Sequence, residues 1–363
     1  MTEIAPNAAE VHSGRPSQEL ASHRRAIGVW LYAVAALVAA MVLVGGATRL
    51  TDSGLSITEW RPVTGAMPPL SQEAWDQEFE KYRQIPEYQY INRGMSLAEF
   101  KAIYWWEWGH RFLGRLIGVV FFAPFVWFLI GRRLDRPLFL RLLLIFGLGA
   151  GQGLLGWYMV KSGLVERVDV SAARLAAHLS LALIIFALTL QTALGLTAAA
   201  PRRPRARFKR EAQGAIGLAI LVFFQMALGA LVAGNLAGRI HTSWPLMDGG
   251  IVPAGYFALS PAIANFFENP SAVQFNHRIG AYLVVAAALL LWGFGRANPA
   301  PARLRALRVA VIAAVGAQVA LGVVTLLNAS PLPLALAHQA VGLVLFTVVI
   351  VYAQAAQRIY SGR

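Results

Sequence analysis

The 363-residue chain contains no cysteine, which excludes disulfides, thiolate ligation of iron and iron–sulfur clusters held by the chain itself. Histidine is left as its obvious strong iron ligand. Charge is scarce as well: 14% of residues are charged against 57% hydrophobic, with a mean hydropathy of +0.54, far from the soluble average. Acidic residues are the scarcer sign, 18 against 32 basic, for a formal charge of +14. That surplus does not describe a nucleic-acid binder, because no soluble basic domain exists to carry a groove. The first 25 residues lack an apolar core and contain Glu3, Glu10 and Glu19, so no secretory signal is read there, and the same acids argue against a mitochondrial transit peptide.

What is abundant is apolar length. A helix needs about 20 apolar residues to cross roughly 30 Å of hydrocarbon, and such runs occur near 27–49, 110–131, 140–160, 174–199, 214–236, 277–296, 308–328 and 333–353. The fold expected is an all-α integral membrane protein with eight transmembrane helices. The basic clusters His23-Arg24-Arg25, Arg132-Arg133 with Arg136 and Arg141, Arg202 through Arg210, and Arg303-Arg305-Arg308 fall on one side when helices alternate, as do Arg358 and Arg363. Basic short loops face the cytoplasm, so both termini are expected there. Two long loops, about 50–109 and 237–276, then face outward.

Laying the second half on the first brings features into register. Gly54, Trp60, Gly65 and Pro69 align without a gap on Gly238, Trp244, Gly249 and Pro253. Trp106 through Arg111 aligns on Val273 through Arg278, Gln152 with Leu155-Gly156 on Gln318 with Leu321-Gly322, and Ala176-Ala177-His178 on Leu336-Ala337-His338. Four spans per half place both halves in the same orientation, related by an axis along the membrane normal. The reading is two repeated four-helix bundles: a tail 1–25, an N-terminal half 26–200 with outer loop 50–109, a basic linker 201–213, and a C-terminal half 214–358 with outer loop 237–276.

Each half carries two histidines, His110 and His178, then His277 and His338, on its second and fourth helices. A porphyrin between two helices of a bundle takes one imidazole from each. The plainer reading, hydrogen bonds between helices or a proton path, fits one isolated histidine better than four at matched positions. Gly114, Gly280 and Gly342 follow three of them by one turn, whereas His178 has no such glycine. His241 stands opposite Ile57 in the repeat and reads as structural or incidental, while His12 and His23 carry no signal.

Ser96 with Glu99 reads as a capping box and Met95 with Phe100 as a hydrophobic staple, so the helix of His110 is expected to begin well outside the membrane. Glu107 then shares a face with His110, and its repeat partner is Gln274. A glutamate accepts a proton or stabilises positive charge where a glutamine only hydrogen-bonds, which places chemistry in the first half and electron transfer in the second. A simple ion pair of Glu107 with Arg111 fits the spacing equally. Arg111, Arg278 and, more weakly, Arg115 suit heme propionates, or snorkel at the interface. Trp75, Phe79 and Tyr82 form one stripe of a short amphipathic helix in 71–90.

These residues carry a resemblance. The stretches Gly45-Gly46-Ala47-Thr48-Arg49-Leu50-Thr51, Ser53-Gly54-Leu55-Ser56, Trp60-Arg61-Pro62, Tyr104 through Arg111 with Gly114-Arg115, and His277-Arg278, with the eight spans and the repeat, make 25–358 similar to the heme A synthase family of proteobacterial and mitochondrial type. The resemblance implies oxidation of the C8 methyl group of heme O to a formyl group, through an alcohol and a geminal diol, giving heme A for terminal oxidase biogenesis. It implies substrate heme at His110 and His178 with Arg111 and Arg115, a resident low-spin heme b (iron) at His277 and His338 with Arg278, and a catalytic role for Glu107. It also implies residence in the bacterial inner membrane in contact with lipid, an electron acceptor that the sequence does not identify, and as candidate partners heme O synthase, terminal oxidase assembly proteins and a second copy of the chain. Some relatives carry paired outer-loop cysteines, and no role of such a pair applies here. The alternatives weighed are a diheme b-type electron carrier without substrate oxidation, which leaves the Glu107–Gln274 difference unexplained, and a transporter of parallel repeats.

Overall fold

The computed structural model describes residues 15–165, 168–198 and 204–361. His12, Arg202, Arg363 and most of the expected tail lie outside them. Eight helices are long and apolar enough to cross a membrane, one for each predicted run, and the described residues contain helices, turns and one isolated bridge but no strand. In chain order the helices are α1 (Arg15–Leu50), α2 (Gln72–Arg83), α3 (Pro86–Tyr90), α4 (Leu97–Ile130), α5 (Arg136–Val165), α6 (Ala172–Thr197), α7 (Lys209–Gly234), α8 (Asn265–Glu268), α9 (Pro270–Arg296), α10 (Ala302–Leu327) and α11 (Leu332–Ser361). Several run past their apolar runs, because a helix satisfies its own backbone and costs little to extend beyond the hydrocarbon.

Packing follows a ring in each half. In the first, α1 contacts α4 and α6, and α5 closes the ring against α4 and α6; in the second, α7 contacts α9 and α11, and α10 closes against α9 and α11. The halves meet through α6 on α7, α11 on α1 and α6 on α11. Burial follows from this placement. The most apolar stretches of α1 and α6 are 39% and 44% buried, those of the peripheral α4 and α5 only 11% and 17%, so the latter present Val119, Phe122, Trp127 and Leu144 outward as a lipid-facing surface requires.

The capping box at Ser96 is present: its hydroxyl accepts from the Glu99 N–H at 3.3 Å, and Glu99 Oε2 accepts from the Ser96 N–H at 2.8 Å. Helix α4 therefore starts well before its apolar run. Its first turns carry Phe100 and Tyr104, onto which Trp75, Phe79 and Tyr82 of α2 pack, all buried. The amphipathic helix read from 71–90 thus lies on the extension of α4. Met95 joins the same cluster, as a staple to Phe100 demands.

Between α7, α10 and α11 the ends opposite the outer loops are pinned by a buried group. Arg308 donates through Nε and Nη2 to the two oxygens of Glu211, each at 2.7 Å, and the Tyr352 hydroxyl donates to Oε1 at 2.6 Å. The first half has Ile27 and Leu142, both fully buried, at the positions matching Glu211 and Arg308.

Candidate functional site

Within each ring the histidines sit on diagonally opposed helices, His110 on α4 and His178 on α6, His277 on α9 and His338 on α11. The other two helices of each ring meet them with glycine. A Cβ added at Gly45 of α1 would lie 2.9 Å from Cε1 of His110; at Gly156 of α5, 3.0 Å from that of His178; at Gly229 of α7, 3.2 Å from that of His277; at Gly322 of α10, 2.8 Å from that of His338. Only a residue without a side chain lets an imidazole lie this close to a neighbouring backbone. His178, which has no glycine one turn on along its own helix, meets Gly156 of α5 instead.

One helical turn before three of these glycines stands a glutamine. Gln152 Nε2 lies 3.3 Å from both ring nitrogens of His178 and donates to its carbonyl at 3.0 Å; Gln225 Nε2 lies 3.1 Å from Nδ1 of His277 and donates to its carbonyl at 2.9 Å; Gln318 Nε2 lies 3.3 Å from Nε2 of His338. The fourth such position is Met41. From sequence, Gln152 and Gln318 read only as repeat matches, and Gln225 and Met41 were missed. The signal was available: a glutamine or methionine, then leucine or valine three residues on, then glycine, occurs on four spans at 41–45, 152–156, 225–229 and 318–322.

The His277 and His338 rings stand 6.5 Å apart between centroids, with planes at 77°. Two imidazoles on one metal ion, each bonded at about 2.0–2.1 Å with about 1.1 Å from nitrogen to ring centre, place their centroids roughly 6.3 Å apart. The spacing therefore fits one iron. Nδ1 of His110 and of His338, and Oε1 of Gln152, Gln225 and Gln318, are buried without a hydrogen-bond partner, as expected of a polar site shaped for a further group. In the second half an apolar groove of about 460 Å³ opens between α9 and α10, lined by Val285, Leu289, Ile312, Val319 and Val323 together with Trp244.

Outside the histidines each half repeats one anchor. Arg111 Nη2 donates to the Ile57 carbonyl at 2.8 Å, and Arg278 Nη2 to the His241 carbonyl at 2.9 Å, so the pairing of Ile57 with His241 read from the repeat is met in space. Glu107, only 3% exposed, accepts from Arg111 Nε and Nη2 at 3.1 and 2.7 Å, and from the Ser56 hydroxyl and the Ile57 N–H at 2.7 Å each. Gln274 instead donates to the His241 carbonyl at 3.1 Å. The carboxylate is thus ion-paired with Arg111, as one reading expected, and also holds the outer loop.

The arginines are largely committed. Arg111 also donates to the Glu59 carbonyl at 3.0 Å, Arg278 to that of Leu246 at 3.4 Å, and Arg115 to those of Pro62 and Arg61 at 2.8 Å each, leaving Arg115 Nη1 and Arg278 Nε buried and unpartnered. His241 bonds Asp248 and Ser271 at 2.6 and 2.9 Å, a structural role, one of the two the sequence allowed it. On α3, burial pushes the Glu87 carboxyl up to about 8, with nearby Glu107 and Asp52 adding to the rise against the Tyr82 hydroxyl that donates to it.

Residues 28–350 match the model of a family described as cytochrome oxidase assembly protein. The chain belongs to that family. It is 51% identical to a heme A synthase of Parvibaculum lavamentivorans over 91% of this chain and 94% of that one, and 48% identical to a heme A synthase of Paracoccus denitrificans over 96% and 93%. A heme A synthase of a Bradyrhizobium strain is 49% identical over 91% of each chain. Since family membership spans both rings, the two histidine pairs, Glu107 and the outer loops all lie within the matched residues. No relative among these is named as a simple electron carrier or a transporter.

Proposed function

We propose that this chain is a heme A synthase, an integral membrane oxidoreductase that converts the C8 methyl group of heme O to a formyl group. The observation that carries the reading is an asymmetry between two sites of one plan: both have paired histidines on glycine faces, but only the first has a carboxylate, Glu107, where the second has Gln274. The names of relatives at about half identity over nearly the whole chain support it. The recurrence of ring, glycine and arginine contacts supports two repeated four-helix bundles, and the basic clusters in the sequence support a basic linker between them and both termini in the cytoplasm of a bacterial inner membrane.

Heme O binds as substrate between His110 and His178, with Arg111 and Arg115 on its propionate side. His277 and His338 hold heme b beside Arg278, whose Nε is free to donate. Heme b, when bound, supplies one-electron chemistry. Glu107 works through its charge. Four donors hold the carboxylate in place, and a fixed anion in a buried site stabilises positive charge developing as a methyl group is oxidised. Partners under this reading are an electron acceptor outside the chain, heme O synthase as the source of substrate, oxidase assembly proteins receiving the product, and a second copy of the chain.

The test is to extract pigments from purified protein made in a host that supplies heme O, and to separate hemes B, O and A and the hydroxylated intermediate. Heme b together with heme A and that intermediate is the expected mixture. Bound hemes that stay unmodified after turnover would instead indicate an electron carrier, and a colourless protein would defeat both.

A further inference from the structure

Four helices present the same two positions to four histidines, and one of the eight residues breaks the pattern. Gln152, Gln225 and Gln318 each set an amide against an imidazole, and two of them also grip the histidine's own carbonyl. At His110 the equivalent residue is Met41, one turn before Gly45. Its Cε lies 3.2 Å from the place a Cβ on Gly114 would occupy, which is where Gln225 meets Gly280 in the second half. A thioether donates no hydrogen bond and accepts one only weakly, and it is the most adaptable of apolar fillers. His110 Nδ1 is correspondingly without a partner. His338 Nδ1 is unpartnered too, but Gln318 reaches the other nitrogen of that ring.

We propose that Met41 makes His110 the releasable axial ligand, so that the first site exchanges its porphyrin while the second, with glutamine at both histidines, retains one. A synthase needs that difference, because substrate must arrive and product must leave, whereas a resident heme must stay. Metal-bound imidazoles depend on an outer acceptor for the ring N–H that is not on the metal, which fixes ring orientation and ligand strength; each glutamine brings such an acceptor, its buried and otherwise unpartnered Oε1, within the same side chain that already touches the ring. Residue 41 is on this account a positioning residue: it acts on the porphyrin through His110 alone. The inference rests on the assignment of substrate to the first half.

The experiment uses the full-length protein in detergent, loaded with heme O and heme b, and mixed with excess apomyoglobin as heme acceptor. Hemes remaining on the protein are extracted and separated over time, heme O and heme A being counted together. In the wild type, hemes O and A leave faster than heme b. Met41→Gln slows their departure on the order of fivefold, the value of about one net hydrogen bond, and sharpens the low-spin absorbance of that site. Gln225→Met speeds loss of heme b by a similar factor. Met41→Leu, which also lacks an amide, transfers heme O as fast as wild type.

Unchanged transfer in Met41→Gln, or slowing by Met41→Leu equal to that by Met41→Gln, overturns the proposal. Should Met41→Gln not accumulate as folded protein, Gln225→Met decides alone, and heme b loss at the wild-type rate overturns it. A wild type that binds no heme refutes the underlying assignment instead, and is told apart by its lack of colour before any variant is made.

Discussion

Replacing Glu107 by glutamine removes one charge and almost no volume, yet the structure makes it a severe change. The carboxylate has two donors on each oxygen: Arg111 Nε and Nη2 on one, the Ser56 hydroxyl and the Ile57 N–H on the other. A glutamine oriented with its oxygen toward Arg111 turns its NH2 at the Ile57 N–H, donor against donor. Ser56 can rotate to accept, but the backbone cannot, and a buried unpaired donor costs about 1–3 kcal/mol. Breaking a buried ion pair costs about 3–5 kcal/mol, and the lower end applies because the Arg111 side chain keeps 19% of its exposure. About 3 kcal/mol is roughly a hundredfold in any equilibrium or rate that depends on this arrangement. Gln274 avoids this loss in the second half because the loop there turns the His241 carbonyl, an acceptor, toward it. The expected result is a Glu107→Gln protein that keeps heme b and accumulates heme O, read by chromatography of extracted hemes. Ser56→Ala, which removes one hydroxyl and leaves the charge pair and the Ile57 N–H, should reduce conversion about ten- to twentyfold, the low end for a hydrogen bond to a charged group. Normal heme A yield from Glu107→Gln would refute the reasoning, and a loss in Ser56→Ala as complete as in Glu107→Gln would reduce Glu107 to a loop anchor.

Three further outcomes follow from particular contacts. Gly322→Ala places a Cβ 2.8 Å from Cε1 of His338, so heme b per protein, measured as the pyridine complex, should fall while the first site still takes heme O; a full complement would mean that the glycine face does not set the ring. Glu211→Ala leaves Arg308 buried and without its carboxylate at a cost of about 3–5 kcal/mol, whereas Glu211→Leu with Arg308→Leu, and Tyr352→Phe to remove the hydroxyl that donates to Glu211, follows the apolar packing of Ile27 and Leu142 and should recover most of it; thermal unfolding in detergent separates the two. Glu87, raised to about 8 from 4.5, holds its proton in the folded protein over a range where the unfolded chain has lost it. Its contribution to stability is therefore greatest below about pH 4.5 and declines as pH rises to about 8. Glu87→Gln should flatten that decline, and identical slopes of thermal stability between about pH 5 and about pH 9 would sink the assignment.

Much of the architecture was legible along the chain. Apolar runs announce membrane helices because hydrocarbon forces every spanning backbone to bond within itself, and all eight were found. The capping box at Ser96, the stripe of Trp75, Phe79 and Tyr82, and the match of Ile57 with His241 were also readable, since each depends on local spacing or on comparing the chain with itself. The arginines were less so. Sequence gave Arg111, Arg115 and Arg278 the choice of propionates or solvent, and the structure commits most of their donors to loop carbonyls, a partner that leaves no residue-type signature.

What the amino-acid order determined by itself is the class of molecule and its donor set: eight helices in a bilayer, no thiol, four histidines in matched pairs and, three residues before the first of them, a carboxylate where the second half has Gln274. What only tertiary structure decided is which backbone each imidazole touches and which side chain steadies it. Gly45, Gly156, Gly229 and Gly322 face histidines on other helices, 16 to 65 residues away along the chain, and helix periodicity says nothing about such distances. Packing alone set Gln225 against His277 and Met41 beside His110, because the rotation of one helix against the next is chosen by the sum of their contacts and not by either helix alone.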